Sequence, residues 1–164
     1  EFMPKLIKNA EIIDDNWQVL DKDFAGELDQ NAVFVPLSYL LASPSILDER
    51  DNVGVWLDSD QGPEPLEPYL DRLPAIAINF PKFVDGRGYS YARILRDRFN
   101  YQGEVRAIGD ILHDQLFYLK RCGFDAFAVR EDKDISIALN GLSDFSNSYQ
   151  TATDQPLPLF RRRN

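Results

Sequence analysis

Four short apolar segments recur along the chain, and each is followed by a polar loop and a helical pattern. The apolar segments cover residues 53–57, 75–80, 104–108 and 127–129, and the helical patterns cover 64–70, 89–99, 111–122 and the stretch from 134 onward. Strands that alternate with helices favour a parallel sheet, because a right-handed crossover returns the chain to the start of the next strand. The series therefore predicts an α/β fold with four successive strand–helix units and a mostly parallel sheet.

The periodicity leaves two architectures open, a half-barrel-like sheet and a small open sheet. With 164 residues the chain fits a single domain. We expect a short β-rich N-terminal extension over 1–32, an α/β core over 33–146 and a polar, proline-bearing tail over 147–164. Residues 1–2 precede Met3 and look like an expression remnant, so we expect the native chain to begin at Met3.

The amino-acid composition limits which cofactors the chain can hold and indicates where in the cell we expect it. Cys122 is the single cysteine and His113 the single histidine. One thiol cannot form an internal disulfide, and the two residues cannot supply a zinc or iron–sulfur ligand set, so we expect no disulfide and no protein-held metal. The cofactor, if one binds, is unknown. No apolar run reaches the length of about 20 residues that a membrane span needs, and no signal-peptide pattern opens the chain, so we expect a cytoplasmic protein without membrane contact.

The charge is unevenly distributed. Residues 1–74 hold 16 acidic and 5 basic side chains, whereas residues 75–164 hold 11 acidic and 13 basic ones. The overall net charge of −9 makes nucleic acid an improbable ligand, because phosphate binding normally needs a basic domain. The acidic half serves solubility or meets a basic partner.

A glycine-containing loop joins the second apolar segment to its helix. Gly86 and Gly88 allow a close backbone approach, and a helix start offers N–H groups to an anion. Lys82 and Arg87 can complete such a site, which suits phosphate, sulfate or carboxylate. The alternative is a tight loop in which Asp85 pairs with Arg87. A small anion is thus one predicted ligand.

The loops after parallel strands converge on one rim, where ligands of such folds bind. Catalytic residues are unknown, and the candidates for proton transfer at this rim are Asp85, Asp110 and His113, although Asp110 also suits a helix N-cap. Further rim or partner contacts are predicted for Arg93, Arg96, Arg106, Gln115 and Arg130.

Two residues in these segments have plain structural interpretations. Arg106 interrupts an apolar strand, where an unpaired charge would be very costly, so it needs a carboxylate partner such as Asp85 or Asp110, or a wet barrel mouth. Cys122 lies at a helix C-terminus with the spacing of a core residue, so we expect it to be buried rather than redox-active.

Several separated blocks resemble a known family. They are 80–90 (FPKFVDGRGYS), 103–107 (GEVRA), 109–110 with 114–116 (GD and DQL) and 121–127 (RCGFDAF). Together they resemble an uncharacterised family of small bacterial proteins, labelled oxidoreductases of sulfite reduction and encoded beside assimilatory sulfite reductase or phosphoadenylyl-sulfate reductase. The resemblance spans about residues 33–150. It implies a role in assimilatory sulfite reduction, with sulfite reductase or another sulfur-assimilation enzyme as partner, and it carries no established catalytic residues.

Two functions follow as hypotheses. The first is an accessory protein of assimilatory sulfite reduction, which docks to or supports the sulfite-reducing enzymes through its oppositely charged parts. The second is a small enzyme that acts on an anionic substrate at the C-terminal rim of the parallel strands.

Overall fold

The strands and helices are taken from a computed structural model, which describes residues 5–9, 11–81, 87–111 and 115–128. The strands are β1 (Lys5–Lys8), β2 (Glu11–Asp14), β3 (Gln18–Val19), β4 (Val33–Pro36), β5 (Val53–Leu57), β6 (Ala75–Phe80), β7 (Glu104–Gly109) and β8 (Ala126–Phe127). The helices are α1 (Leu37–Ala42), α2 (Ile46–Glu49), a 3₁₀ helix (Glu64–Tyr69), α3 (Arg87–Arg93), a π-helix (Ile94–Arg98) and α4 (Leu116–Cys122).

The eight strands form one sheet in the order β2-β1-β8-β7-β6-β5-β4-β3. The strands from β3 to β8 run parallel, and the β1–β2 hairpin is added antiparallel at the β8 edge. The N-terminal segment therefore supplies both edges of the sheet, with β2 at one and β3 at the other.

This connection forces the sheet to curl. Only residues 15–17 separate β2 from β3, and four peptide steps span at most about 15 Å. Eight strands laid flat would place the two edges about 34 Å apart. The sheet is consequently wrapped into a half-barrel, which decides between the two predicted architectures.

The two faces of the sheet carry separate apolar clusters of different extent. Ile76, Ile78 and Phe80 of β6 belong to the large core that the helices cover, together with Leu95 and Leu119. Such fully buried leucines typically cost about 2–5 kcal/mol when truncated to alanine. The convex, helix-covered face thus holds most of the apolar core.

The concave face holds a smaller cluster, in which Ala75 and Ala77 lie beside the rings of Phe34 and Trp56. The crossing segment contributes Trp17, whose ring centroid lies 4.7 Å from that of Phe34. Trp56 fixes the chain just after β3, because its Nε1–H donates to the Leu20 carbonyl at 2.8 Å. The segment from residue 15 to 20 therefore closes the inside of the half-barrel.

The predicted α/β class, the mostly parallel sheet and the β-rich N-terminus are confirmed. The four strand–helix units are not confirmed in that form. The helix after β5 is a 3₁₀ helix with Pro65 in its first turn and Pro68 in its interior, and Pro68 removes an amide donor that an α-helix would use. The helix predicted from 134 lies outside the described residues. The predicted domain boundaries remain predictions.

Among the described helices, none combines the length and the hydropathy that crossing a membrane requires.

Candidate functional site: the carboxyl-terminal rim and the acidic edge

The carboxyl ends of the parallel strands carry a set of polar side chains. Asp58 follows β5, Asn79 lies near the end of β6, and Lys22 comes shortly after β3. Because parallel strands end on the same side of a sheet, these residues meet at one rim. This rim is the first candidate site.

Asp58 is the centre of the rim's hydrogen-bond network. Its carboxylate accepts from Asn79 Nδ2 at 3.0 Å and from the Ser59 amide at 2.9 Å. It also pairs with Lys22 Nζ at 3.1 Å, and Lys22 lies 3.5 Å from Asp60. The Asp58 amide donates to Gln61 Oε1 at 2.9 Å. The carboxylate therefore has three donors and orders the loop after β5.

The network holds Asp58 ionised. Partial burial raises the pKa of Asp58, but the hydrogen bonds from Asn79, the Ser59 amide and Lys22 outweigh it and leave the pKa below its ordinary value. The hydrogen bond to Asp58 raises the pKa of Lys22 in turn. An ionised carboxylate with so many donors orients its neighbours and is a poor general base.

The start of α3 packs onto this loop. Tyr91 Oη donates to the Ser59 carbonyl at 2.7 Å, and Arg87 Nη2 lies 3.5 Å from Ser59 Oγ. A Cβ on Gly88 would come within 2.6 Å of the Phe80 ring, so this glycine is needed for the packing of α3 on β6. Arg87 lies at the rim, whereas Gly88, the next residue of α3, is buried against Phe80.

Gly109 and Asp110 follow β7 at the same rim. Gly109 has φ of 97°, and a Cβ there would lie 2.4 Å from Asn79 Oδ1, so only glycine fits without strain. The Asp110 amide donates to the Phe80 carbonyl at 2.7 Å. Gln115 Nε2 donates to Tyr89 Oη at 3.2 Å, which joins α4 to α3.

Five predicted site residues lie outside the described residues, and nothing further is said of their placement. They are Lys82, Asp85, Gly86, His113 and Arg130.

Arg106 belongs to the interior of the half-barrel. Its guanidinium donates to Glu104 Oε2 at 2.7 Å and to Asp15 Oδ1 at 2.8 Å, and it lies 5.0 Å from the centroid of the Phe34 ring. Burial raises the pKa of Glu104, but Arg106 and Lys8 outweigh it and hold the pKa below its ordinary value. The need for a carboxylate partner is confirmed, but Glu104 and Asp15 fill this role rather than Asp110, because the crossing segment brings Asp15 over β7; Asp85, the other predicted partner, lies outside the described residues.

Arg93, at the end of α3, and Arg96, in the π-helix, have different environments. Arg96 donates to the carbonyls of Gly123 at 2.9 Å, Tyr101 at 2.9 Å and Gly103 at 2.7 Å, so its charge is used within the chain. Arg93 is exposed and pairs with Asp97 at 3.1 Å. Of the two predicted partner contacts, Arg93 alone lies on the outer surface.

The predicted burial of Cys122 is confirmed. Burial raises the pKa of its thiol. No group of three or more His, Cys, Asp and Glu side chains with metal-binding geometry occurs within the part of the chain that the structure describes.

A second feature, which we call the acidic edge, lies on the β3–β5 side of the half-barrel. Its members are exposed carboxylates without an ion-pair partner among the described residues: Asp21, Asp23, Glu27, Glu49, Asp51 and Glu67. The nearby cations are already engaged, since Lys22 pairs with Asp58, and Arg50 donates to the carbonyls of Asp29 and Asn31 at 2.6 and 2.8 Å. The sequence showed the excess of acids, but not that the basic residues beside them are occupied.

The fold and these surfaces define a class: an α/β half-barrel with a tightly bonded polar rim and an acidic edge. The chain belongs to a bacterial protein family of unknown function, DUF934, whose model matches residues 54–160. No protein with a curated description matches the chain. The family description names no activity, so a role in sulfite reduction is a proposal.

Proposed function

We propose that this chain is an accessory protein of assimilatory sulfite reduction that docks to the sulfite-reducing enzymes through its acidic edge. The sulfur-assimilation setting rests on the family resemblance of the blocks within 80–127. The docking part rests on the charge distribution of the described residues.

The observation that carries the docking proposal is the set of exposed, unpaired carboxylates. Asp21, Asp23 and Glu27 lie on one loop between β3 and β4, and no ion pair neutralises them within the described chain. Charges of one sign that are not neutralised locally steer a partner of opposite charge and speed its encounter. The partner surface is accordingly basic.

The test measures the dissociation constant for the haem-containing assimilatory sulfite reductase at 20 mM and 500 mM NaCl. The variant Asp21→Asn/Asp23→Asn removes two charges from the acidic edge. Glu11→Gln removes one charge from β2 and is the matched control for the single variants Asp21→Asn and Asp23→Asn, because these three carboxylates are exposed and outside any ion pair of the described residues. Each exposed pair is worth about 1 kcal/mol at most, so we expect about tenfold weaker binding for the edge variant at low salt.

The control variant should bind as the wild type does, and the difference between the variants should vanish at 500 mM NaCl. Equal affinities for both variants at low salt would show that the acidic edge is not the docking surface. Absence of any binding by the wild-type chain would end the docking proposal itself.

A second candidate function is that of a small enzyme acting on an anionic substrate at the rim. It is favoured by the position of Arg87, whose guanidinium lies 3.5 Å from Ser59 at the carboxyl end of β5. A ligand that binds only the native state raises the melting temperature. Sulfite, sulfate or phosphate should then raise the Tm of the wild type but not of Arg87→Ala, and a Tm that none of these anions shifts would contradict this candidate.

A further inference from the structure

An exposed aromatic and cationic surface lies where α3 and α4 pack together. Tyr118 of α4 is 55% exposed, and the edge of its ring meets Tyr89 of α3 with centroids 4.9 Å apart. Arg121, one turn later, stands over the Phe117 ring at 5.8 Å. Arg93 of α3 lies close enough to Tyr118 for its charge to act on it, and its Nε pairs with Asp97 at 3.1 Å. We call Arg93, Tyr118 and Arg121 the α3–α4 patch.

Cys122 is buried beneath the patch, and its thiol raises the pKa of the neighbouring Tyr118, whereas the charge of Arg93 acts in the opposite direction. Tyrosine and arginine held on packed helices are the residues that dominate binding energy at protein interfaces. Arg121 has no ion pair within the described residues, so its charge is left for a partner.

The same chain carries a groove of complementary charge, which we call the acidic groove. It has a volume of about 500 Å³ and lies between α2 and the residues that lead into β5. Glu49 and Asp51 line it, and both are exposed and outside any ion pair of the described chain. Arg50 also lines it, but its Nε donates to Asn52 at 3.0 Å and its two Nη atoms to backbone carbonyls.

We propose that the α3–α4 patch of one copy docks into the acidic groove of a second copy, head to tail. Arg121 and Arg93 would meet the carboxylates of Glu49 and Asp51, and the Tyr118 ring would enter the groove. The helices that carry the patch follow β6 and β7 along the chain, whereas the groove lies in the segment before β5. The contact therefore joins two different surfaces of the chain. A contact of this kind forms open chains, which leave one patch and one groove unused at their ends, or it closes into rings.

The charge balance of the whole chain favours this occupant over a nucleic acid. A net charge of −9 repels a phosphate backbone, whereas the acidic groove supplies carboxylates directly to the patch. The same net charge opposes association of two copies, so the contact is weak and is revealed at high protein concentration.

The experiment is sedimentation equilibrium on the full chain alone, at 10–500 µM and 100 mM NaCl, so its outcome does not depend on sulfite reductase. One variant, Tyr118→Ala/Arg121→Ala, removes the patch. Another, Glu49→Gln/Asp51→Asn, removes the groove charges. Arg98→Ala and Glu11→Gln are matched controls, because both residues are exposed and lie outside the two surfaces. Circular dichroism establishes that each variant is folded.

We expect the average mass of the wild type and both controls to rise with concentration, and each double variant to dissociate at least tenfold more readily. An equimolar mixture of the two double variants should form a dimer and stop there, because only one intact patch and one intact groove meet. A wild type that stays monomeric at 500 µM, or a mixture that does not dimerise, would overturn the proposal. Patch-dependent binding of a labelled 20-nucleotide RNA would overturn it in favour of a nucleic-acid role.

Discussion

Replacing Arg106 with methionine should remove the charge that holds the inside of the half-barrel together. The Arg106 side chain is 3% exposed, and its partners Glu104 and Asp15 are 9% and 13% exposed. Breaking a buried ion pair by removing one partner costs about 3–5 kcal/mol, because a buried charge is left uncompensated. Lys8 stays 2.8 Å from Glu104 and offsets part of this cost. We therefore expect a loss of about 3 kcal/mol in the free energy of unfolding.

The loss should depend on pH. The pKa of Glu104 is held below its ordinary value in the folded protein, so the wild type gains stability from it above the unfolded pKa and loses that gain as pH falls toward the folded pKa. Without Arg106, less opposes the effect of burial, which raises the pKa of Glu104. Protonation of Glu104 therefore destabilises the variant less than it destabilises the wild type. The difference in stability between wild type and Arg106→Met should shrink as pH falls from 7 to about 3.5, mostly below the ordinary carboxyl pKa.

The assay is urea unfolding followed by circular dichroism and by tryptophan fluorescence, since the ring of Trp17 lies 6.0 Å from the Arg106 guanidinium. Arg72→Met is the matched control. Arg72 pairs with Asp48 at 2.9 Å but is 36% exposed, so its replacement should cost far less than that of Arg106. A cost for Arg106→Met below 1 kcal/mol, or one that is the same at both pH values, would refute the buried-network reasoning.

Three further changes test the rim and the core. Gly109→Ala should cost about 2 kcal/mol or more in urea unfolding, because φ is 97° and the new Cβ would meet Asn79, whereas Gly26→Ala has its nearest neighbour at 3.5 Å and should be close to neutral. Cys122 should react slowly with a thiol reagent in the native protein and at once in urea, since burial raises its pKa; equally fast labelling in both states would contradict this. Asp58→Asn should destabilise most at pH 7 and progressively less as pH falls below the ordinary carboxyl pKa, because the wild-type pKa is lowered; a pH-independent difference would show that the carboxylate charge is not used.

The central strands could be predicted from local sequence because they are buried on both faces. The ranges 53–57 and 75–80 match β5 and β6, whose apolar runs need no distant information. The helical pattern that ends at residue 122 matches the end of α4, where Gly123 follows with φ of 119°. The π-helix that continues α3 left no separate signal, since it keeps the same apolar face.

The closure of the half-barrel could not be predicted, because it depends on contacts between distant parts of the chain. Asp15 and Arg106 are 91 positions apart, and the pattern around Arg106 required a carboxylate without specifying which one. The alternation over 17–20 predicts a strand of an antiparallel hairpin, whereas β3 pairs in parallel with β4, so the position of Lys22 at the rim could not be predicted. The 3₁₀ helix is different, since Pro68 lies in the interior of the predicted helix and argues against an α-helix, whereas Pro65 suits a helix start.

Sedimentation velocity on a mixture of this chain and haem-containing assimilatory sulfite reductase, at 20 mM NaCl, tests the docking proposal most directly. If the acidic edge docks to the reductase, part of this chain should sediment in a faster boundary together with the haem absorbance, and 500 mM NaCl should separate the two. A mixture whose profile equals the sum of the two separate profiles at low salt would contradict it.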